Sequence, residues 1–134
     1  METADLRIAL FSGNYNYVRD GANQALNRLV GYLLRQGAQV RVYAPTVAQP
    51  AFEATGDLIG IHSLPIPNRP EYRVPLAISL KARRDLKAFA PNVVHVSSPD
   101  PVGHQAVTWA RNRNLPVLAS VHTRFETYLR YYNM

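Results

Sequence analysis

Hydrophobic and polar positions along this 134-residue chain alternate between two periods. Residues 6–12 (LRIALFS) form an apolar run broken at Arg7. Such a run predicts a strand covered on both faces, as in parallel sheets. Gly13-Asn14 then signals a turn. Apolar residues next recur at Ala22, Leu26, Leu29, Val30, Leu33 and Leu34, one face of an amphipathic helix. Asp20 suits its N-cap and Gly37 the left-handed residue beyond its end. Residues 39–44 (QVRVYA) alternate as a second strand halted by Pro45. The three elements make a right-handed β-α-β unit.

Residues 46–57 are irregular in pattern, and 58–64 (LIGIHSL) predict a third strand. Pro65, Pro67, Pro70 and Pro75 make 64–75 a stiff, extended loop. Residues 76–88 divide into apolar and basic positions at helical spacing, and Pro91 stops them. A fourth strand at 93–96 (VVHV) leads through SSPDP into a helix over about 101–114, with Pro101 in its first turn. A fifth strand spans 117–121. The predicted fold class is α/β: a doubly wound, mostly parallel sheet with helices on both faces. A new segment begins at 124–134, where a doubly wound domain ordinarily goes on to another strand, so the expectation is part of a longer protein.

Charge adds a bias toward anions. The net charge is +6 and the sequence pI about 10, carried by thirteen arginines and two lysines. Arginine suits planar, bidentate contact with phosphate and carboxylate. Scattered arginines also solvate a surface; the other candidate partners are a phosphate-rich ligand, an anionic membrane surface or nucleic acid. The 47% hydrophobic fraction is ordinary for a globular domain. No apolar run approaches the roughly 18 residues of a membrane span. The N-terminus carries acidic residues where a secretory signal would be basic. There is no cysteine, hence no disulfide, thiolate nucleophile or cysteine-held metal. A cytoplasmic location is expected, with peripheral contact at a membrane compatible.

In open α/β sheets ligands bind outside the carboxyl ends of the strands. The loops after 6–12, 93–96 and 117–121 should gather there. Gly13 and Gly21 are eight residues apart, too far for the dinucleotide-binding turn, and no Walker A sequence occurs. The Asp20-Gly21 helix start offers a close backbone approach and free N–H groups for phosphate; equally, it is a turn and a cap. His122 follows the fifth strand, where an imidazole can serve a reacting centre or be structural. Ser97 and Ser98 lack a nucleophile elbow; they read as polar groups at a helix start or as hydroxyl contacts to a substrate. His95 reads as a core residue. His62 and His104 show no ligand spacing, and no metal site is expected. Two basic and aromatic clusters stand out: Arg124, Tyr128, Arg130, Tyr131 and Tyr132, and Arg69, Tyr72, Arg73, Lys81, Arg83, Arg84 and Lys87. Each is a solvated face or a patch for anionic lipid or a phosphate-bearing ligand.

Four segments occur in a familiar order: Asp20-Gly21, PNRPEYRVPL at 67–76, VVHVSSPDPVG at 93–103 and SVHTRFETYLRYY at 120–132. Together they resemble the N-terminal domain of retaining glycosyltransferases of family 4, which have the GT-B fold. The similarity is greatest to the branch of lipid-directed mannosyl-, glucosyl- and sulfoquinovosyltransferases. The resemblance implies a Rossmann-like half of a two-domain enzyme, residues 1–134 being the acceptor side. The absent half would hold the nucleotide-sugar and a Glu-x7-Glu motif, so this chain alone would be inactive. It also implies that Gly21 approaches the donor diphosphate through its backbone and that His122 is the catalytic contact to the donor sugar. Transfer would need neither metal nor other cofactor. Asp20, Ser97, Ser98, Arg124 and Tyr128 complete the candidate substrate contacts. The expected partners are a nucleotide-sugar donor, a lipid or saccharide acceptor, and an anionic membrane surface. The alternative is a non-catalytic α/β module binding anionic lipid or a protein partner. Nucleic acid is not expected, because the arginines are dispersed and no recognition motif occurs.

Overall fold

The computed structural model describes residues 2–12, 21–45, 55–66, 69–97 and 101–119. In chain order the elements are β1 (Arg7–Phe11), α1 (Gly21–Arg35), β2 (Gln39–Ala44), β3 (Asp57–Gly60), β4 (His62–Ile66), β5 (Arg69–Ala77), α2 (Leu80–Phe89), β6 (Val93–Val96), α3 (Pro101–Arg111) and β7 (Val117–Ala119). Five strands form one sheet in the order β3-β2-β1-β6-β7, every pair parallel. This is the predicted doubly wound, Rossmann-like α/β architecture, with β1 at the centre.

The central position explains why β1 is apolar almost throughout. Side chains alternate across a strand, so Ile8 and Leu10 face one layer and Ala9 and Phe11 the other. Ile8 and Leu10 join Val40, Val42 and Ala44 under Leu26 and Val30 of α1. Ala9 and Phe11 join Tyr43, Val94 and Val96 under Ala82 and Leu86 of α2 and Ala106 and Trp109 of α3. Each fully buried side chain of this size contributes about 1.5–3 kcal/mol relative to exposure. The strand starts are tied as well. Asn92 accepts from the Arg7 N–H at 2.8 Å and its amide donates to the Asp5 carbonyl at 2.8 Å. The Arg7 guanidinium donates to the Phe89 carbonyl and lies over the Phe89 ring.

Local chemistry sets the helix ends. The Ser79 hydroxyl accepts from the Ala82 N–H at 3.2 Å, capping α2. Ala90 then turns left-handed, φ 52°, ahead of Pro91. At the end of α1, the Gly37 and Ala38 N–H groups return to the Leu34 and Leu33 carbonyls at 3.1 and 3.0 Å, with Gly37 at φ 91°. A Cβ at Gly37 would sit 3.2 Å from the Ala4 Cβ. Gly37→Ala is therefore expected to lower stability by about 1–2 kcal/mol, the cost of a left-handed non-glycine residue. Its urea midpoint should fall with an unchanged m-value; an unmoved midpoint would refute the strain.

Four expectations change. The strand predicted at 58–64 is broken: β3 ends at Gly60, Ile61 is buried in the core, and His62 opens a separate antiparallel pair, β4 with β5. The 64–75 stretch is mostly strand rather than loop. Pro65, Pro70 and Pro75 keep the backbone extended, and in a two-stranded ribbon each strand has an unpaired side where a missing N–H removes no ladder bond. The register shifts at His62/Ser63 and Pro65/Ile66 mark the irregularity. The helix predicted at 76–88 begins later, because Leu76 belongs to β5 and Ser79 is the cap. The helix predicted to about 114 ends at Arg111, with Asn114 left-handed at φ 56°. Residues 120–121 of the fifth strand and the segment 124–134 lie outside the described residues.

Candidate functional site

From β1 the chain winds toward β2 and β3; from β6 it winds the other way, to β7. The carboxyl ends of β1 and β6 therefore flank the crevice of the topological switch point, where open α/β sheets receive ligands. Ser12 and Ser97 stand at these two ends. The Ser97 N–H donates to the Phe11 carbonyl at 3.0 Å and its hydroxyl to the same oxygen at 3.2 Å. The Ser12 N–H donates to the Tyr43 carbonyl at 3.0 Å, and Ser12 is buried. Helices α1 and α3 both start at this edge, the first at Gly21. The edge thus carries the positive ends of two helix dipoles and is suited to negative charge.

A stack beneath the edge holds it in place. The Phe11 and Tyr43 rings lie 5.0 Å apart and 16° from parallel. The Tyr43 hydroxyl donates to Asp85 Oδ1 at 2.7 Å, and Arg41 Nη1 pairs with the same carboxylate at 3.2 Å. The Arg41 guanidinium also lies over the Phe89 ring, 4.8 Å from its centre. Burial, reinforced by the bond to Asp85, pushes the Tyr43 phenol well above its ordinary value. Tyr43 is thus a fixed donor that ties β2 to α2.

Of the residues singled out in the sequence, Gly21 is the first residue of α1 and Ser97 closes β6, both at the switch-point edge. The Ser97 proton is directed at Phe11, leaving the oxygen lone pairs to accept. Asp20, Ser98, His122, Arg124 and Tyr128 lie outside the described residues. His95 is buried in β6, in keeping with a core role, and His104 is exposed on α3. Arg69, Tyr72 and Arg73 sit on β5; Lys81, Arg83, Arg84 and Lys87 sit on α2.

Two features were not foreseen. One is the Arg41–Asp85–Tyr43 set; its signal was an arginine and a tyrosine two apart in one strand, hence on one face. The other is a groove of about 520 Å³ between α2 and α3; the sequence marked its α2 cations, but pattern along a single helix gives no sign of the α3 wall. Among the described residues no helix is long and apolar enough to cross a membrane.

Comparison with known proteins agrees with this geometry. The sequence model of Glycosyltransferase Family 4 matches residues 19–134. The chain is 29% identical over 128 residues to a sulfoquinovosyl transferase of Arabidopsis thaliana, covering 94% of the chain and 25% of that protein. It is 26% identical over 133 residues to a GDP-mannose-dependent alpha-mannosyltransferase of Mycolicibacterium smegmatis, covering 96% of the chain and 36% of the relative. A protein of the same description from Mycobacterium tuberculosis is 25% identical over 122 residues, 88% of the chain and 32% of its own length. The chain spans roughly a quarter to a third of these relatives. With a match that takes in the helix start at Gly21, β6 with Ser97 and the segment after β7, the chain belongs to Glycosyltransferase Family 4.

Proposed function

We propose that this chain is the N-terminal, acceptor-side domain of a retaining glycosyltransferase that moves a hexose from a nucleotide-sugar to a hydroxyl of a lipid or saccharide. The observation that carries the reading is the switch-point crevice between β1 and β6 in a chain of this family, with Gly21 at a helix start on one side and Ser97 on the other. The longer relatives support a second domain that supplies the nucleotide-sugar pocket.

In this reading the donor diphosphate lies against the N-terminus of α1. The backbone at Gly21 comes close because glycine has no Cβ, and the helix dipole offsets charge that grows on the leaving diphosphate. Ser97, with Ser98, accepts from acceptor or sugar hydroxyls. His122 contacts the donor sugar where the glycosidic bond breaks, and Asp20, Arg124 and Tyr128 position the substrates around it. The net charge of +6 favours an acceptor displayed on an anionic membrane surface.

The test is hexose transfer by the complete transferase, assayed with GDP-mannose and UDP-glucose as donors. His122→Ala should lower turnover more than about tenfold while donor KM changes little, because the contact is made in the transition state. Turnover like that of the unmodified enzyme would remove His122 from the mechanism. Absence of both transfer and donor hydrolysis in the complete protein would favour the non-catalytic binding module.

A further inference from the structure

Outside the switch-point crevice, the described surface holds a concave and strongly charged groove. Helices α2 and α3 bound a groove of about 520 Å³ lined by Arg83, Arg84 and Lys87 on one side and by His104, Trp109 and Arg113 on the other. Volumes of about 300–1,000 Å³ are those of small-molecule sites. Lys87 lies four residues from Arg83 and three from Arg84, so it shares a helix face with each and the like charges repel. Arg113 is held in place: its guanidinium stacks on the Trp109 ring at 4.1 Å and donates to the Trp109 carbonyl at 3.3 Å.

Among the described residues the lining carries no counter-charge. Asp85 is the one carboxylate carried by α2 and α3, and it turns away, toward Arg41 and Tyr43. No described carboxylate pairs with Arg83, Arg84, Lys87 or Arg113. Four permanent cations around one concavity, one of them pre-oriented, call for an anion that enters the groove.

Shape decides between the sources of such an anion. A bilayer surface meets the rims of a groove and cannot fill it; a free small molecule can. The placement of the cations decides its valency. They stand on both walls, Arg83, Arg84 and Lys87 on α2 and Arg113 just past the end of α3, so two linked phosphoryl groups can engage both walls at once where a single phosphate serves one. We propose that this groove is a binding site for a free small molecule carrying two or more linked phosphoryl groups. One phosphoryl group sits against Arg83, Arg84 and Lys87, and another meets the Arg113 fork, which suits bidentate contact with phosphate oxygens. The site is separate from the crevice and does not depend on the transfer reaction.

Titration calorimetry at about 0.15 M salt, where long-range attraction is largely screened, tests it on the full chain with inorganic tripolyphosphate and orthophosphate as probes. Tripolyphosphate should bind one-to-one and at least about tenfold tighter than orthophosphate. Arg84→Glu with Lys87→Glu should weaken tripolyphosphate at least about tenfold, and the glutamine pair should weaken it in the same direction. Lys81→Glu, exposed on the same helix but outside the lining, should leave affinity within about threefold. These positions are exposed, so circular dichroism should match the unmodified chain. No tripolyphosphate binding, or an equal loss in Lys81→Glu, would overturn the site. So would vesicles of phosphatidylglycerol that bind the chain through Arg84 and Lys87 undisturbed by tripolyphosphate, since the groove residues would then serve a membrane.

Discussion

Phe11→Ala should cost about 3–5 kcal/mol of folding stability, the range for removing a buried aromatic side chain. Phe11 is 1% exposed at the end of the central strand, stacked on Tyr43 and part of the core beneath α2 and α3. Its neighbours are anchored elsewhere: Tyr43 by Asp85, and Val96 in the β6 ladder. The space should therefore stay largely open rather than collapse. The backbone carbonyl that receives both bonds from Ser97 is at the same residue, so the crevice should loosen too. A guanidinium unfolding curve measures the first effect; amide exchange at Ser97, faster in the variant than the global change accounts for, reads the second. A loss below about 1 kcal/mol would mean that the core repacks and the stack is dispensable.

Asp85→Ala should cost about 2 kcal/mol, and the source of that figure is specific. Arg41 and Asp85 are about a quarter exposed, 28% and 26%, so water screens their pairing, and such ion pairs are worth about 1 kcal/mol or less. The larger share comes from Tyr43, which is fully buried and would keep its hydroxyl without an acceptor, a penalty of about 1–3 kcal/mol. Tyr43→Phe in the Asp85→Ala background should then cost little further, and a double-mutant cycle isolates the coupling. Additive losses would show that the hydroxyl and the carboxylate act separately. The pair also gives stability an alkaline limb. Folding raises the Tyr43 phenol above its unfolded value, so the neutral form is favoured in the native state. Its contribution is complete below the unfolded pKa of about 10 and declines as pH climbs beyond it. Denaturant midpoints taken upward from about pH 9 should fall, and Tyr43→Phe should remove that part of the slope.

What was legible in the sequence follows from which interactions are local. β2 and β6 have the predicted limits because alternation meets a proline or a helix cap within a few residues. The extent of α1 was legible from the spacing of Leu26, Val30 and Leu33 and from Gly37. The β4–β5 pair was not, since prolines disfavour a strand in general and are tolerated only once the strand is known to lie on an unpaired edge. Gly21 and Ser97 could be assigned to one edge because parallel strands bring their carboxyl ends together. The Asp85 contacts to Arg41 and Tyr43 cross 44 and 42 residues of chain, and no periodicity within one element anticipates them. The groove was half visible: Arg83, Arg84 and Lys87 stand out on α2, but Trp109 and Arg113 become their neighbours only because α2 and α3 pack on the same face of the sheet.

The inward turn of Asp85 has a further consequence, for how the molecule can change. The acidic group that braces α2 against the sheet takes no part in balancing the cations on the outside of that helix. Exposed substitutions away from such braces usually shift stability by less than about 0.5 kcal/mol. Lys81, Arg83, Arg84 and Lys87 can therefore be exchanged one at a time, by drift or by design, with the scaffold nearly indifferent. Whatever meets this face can be retuned among relatives while the crevice at the far ends of β1 and β6 keeps its shape.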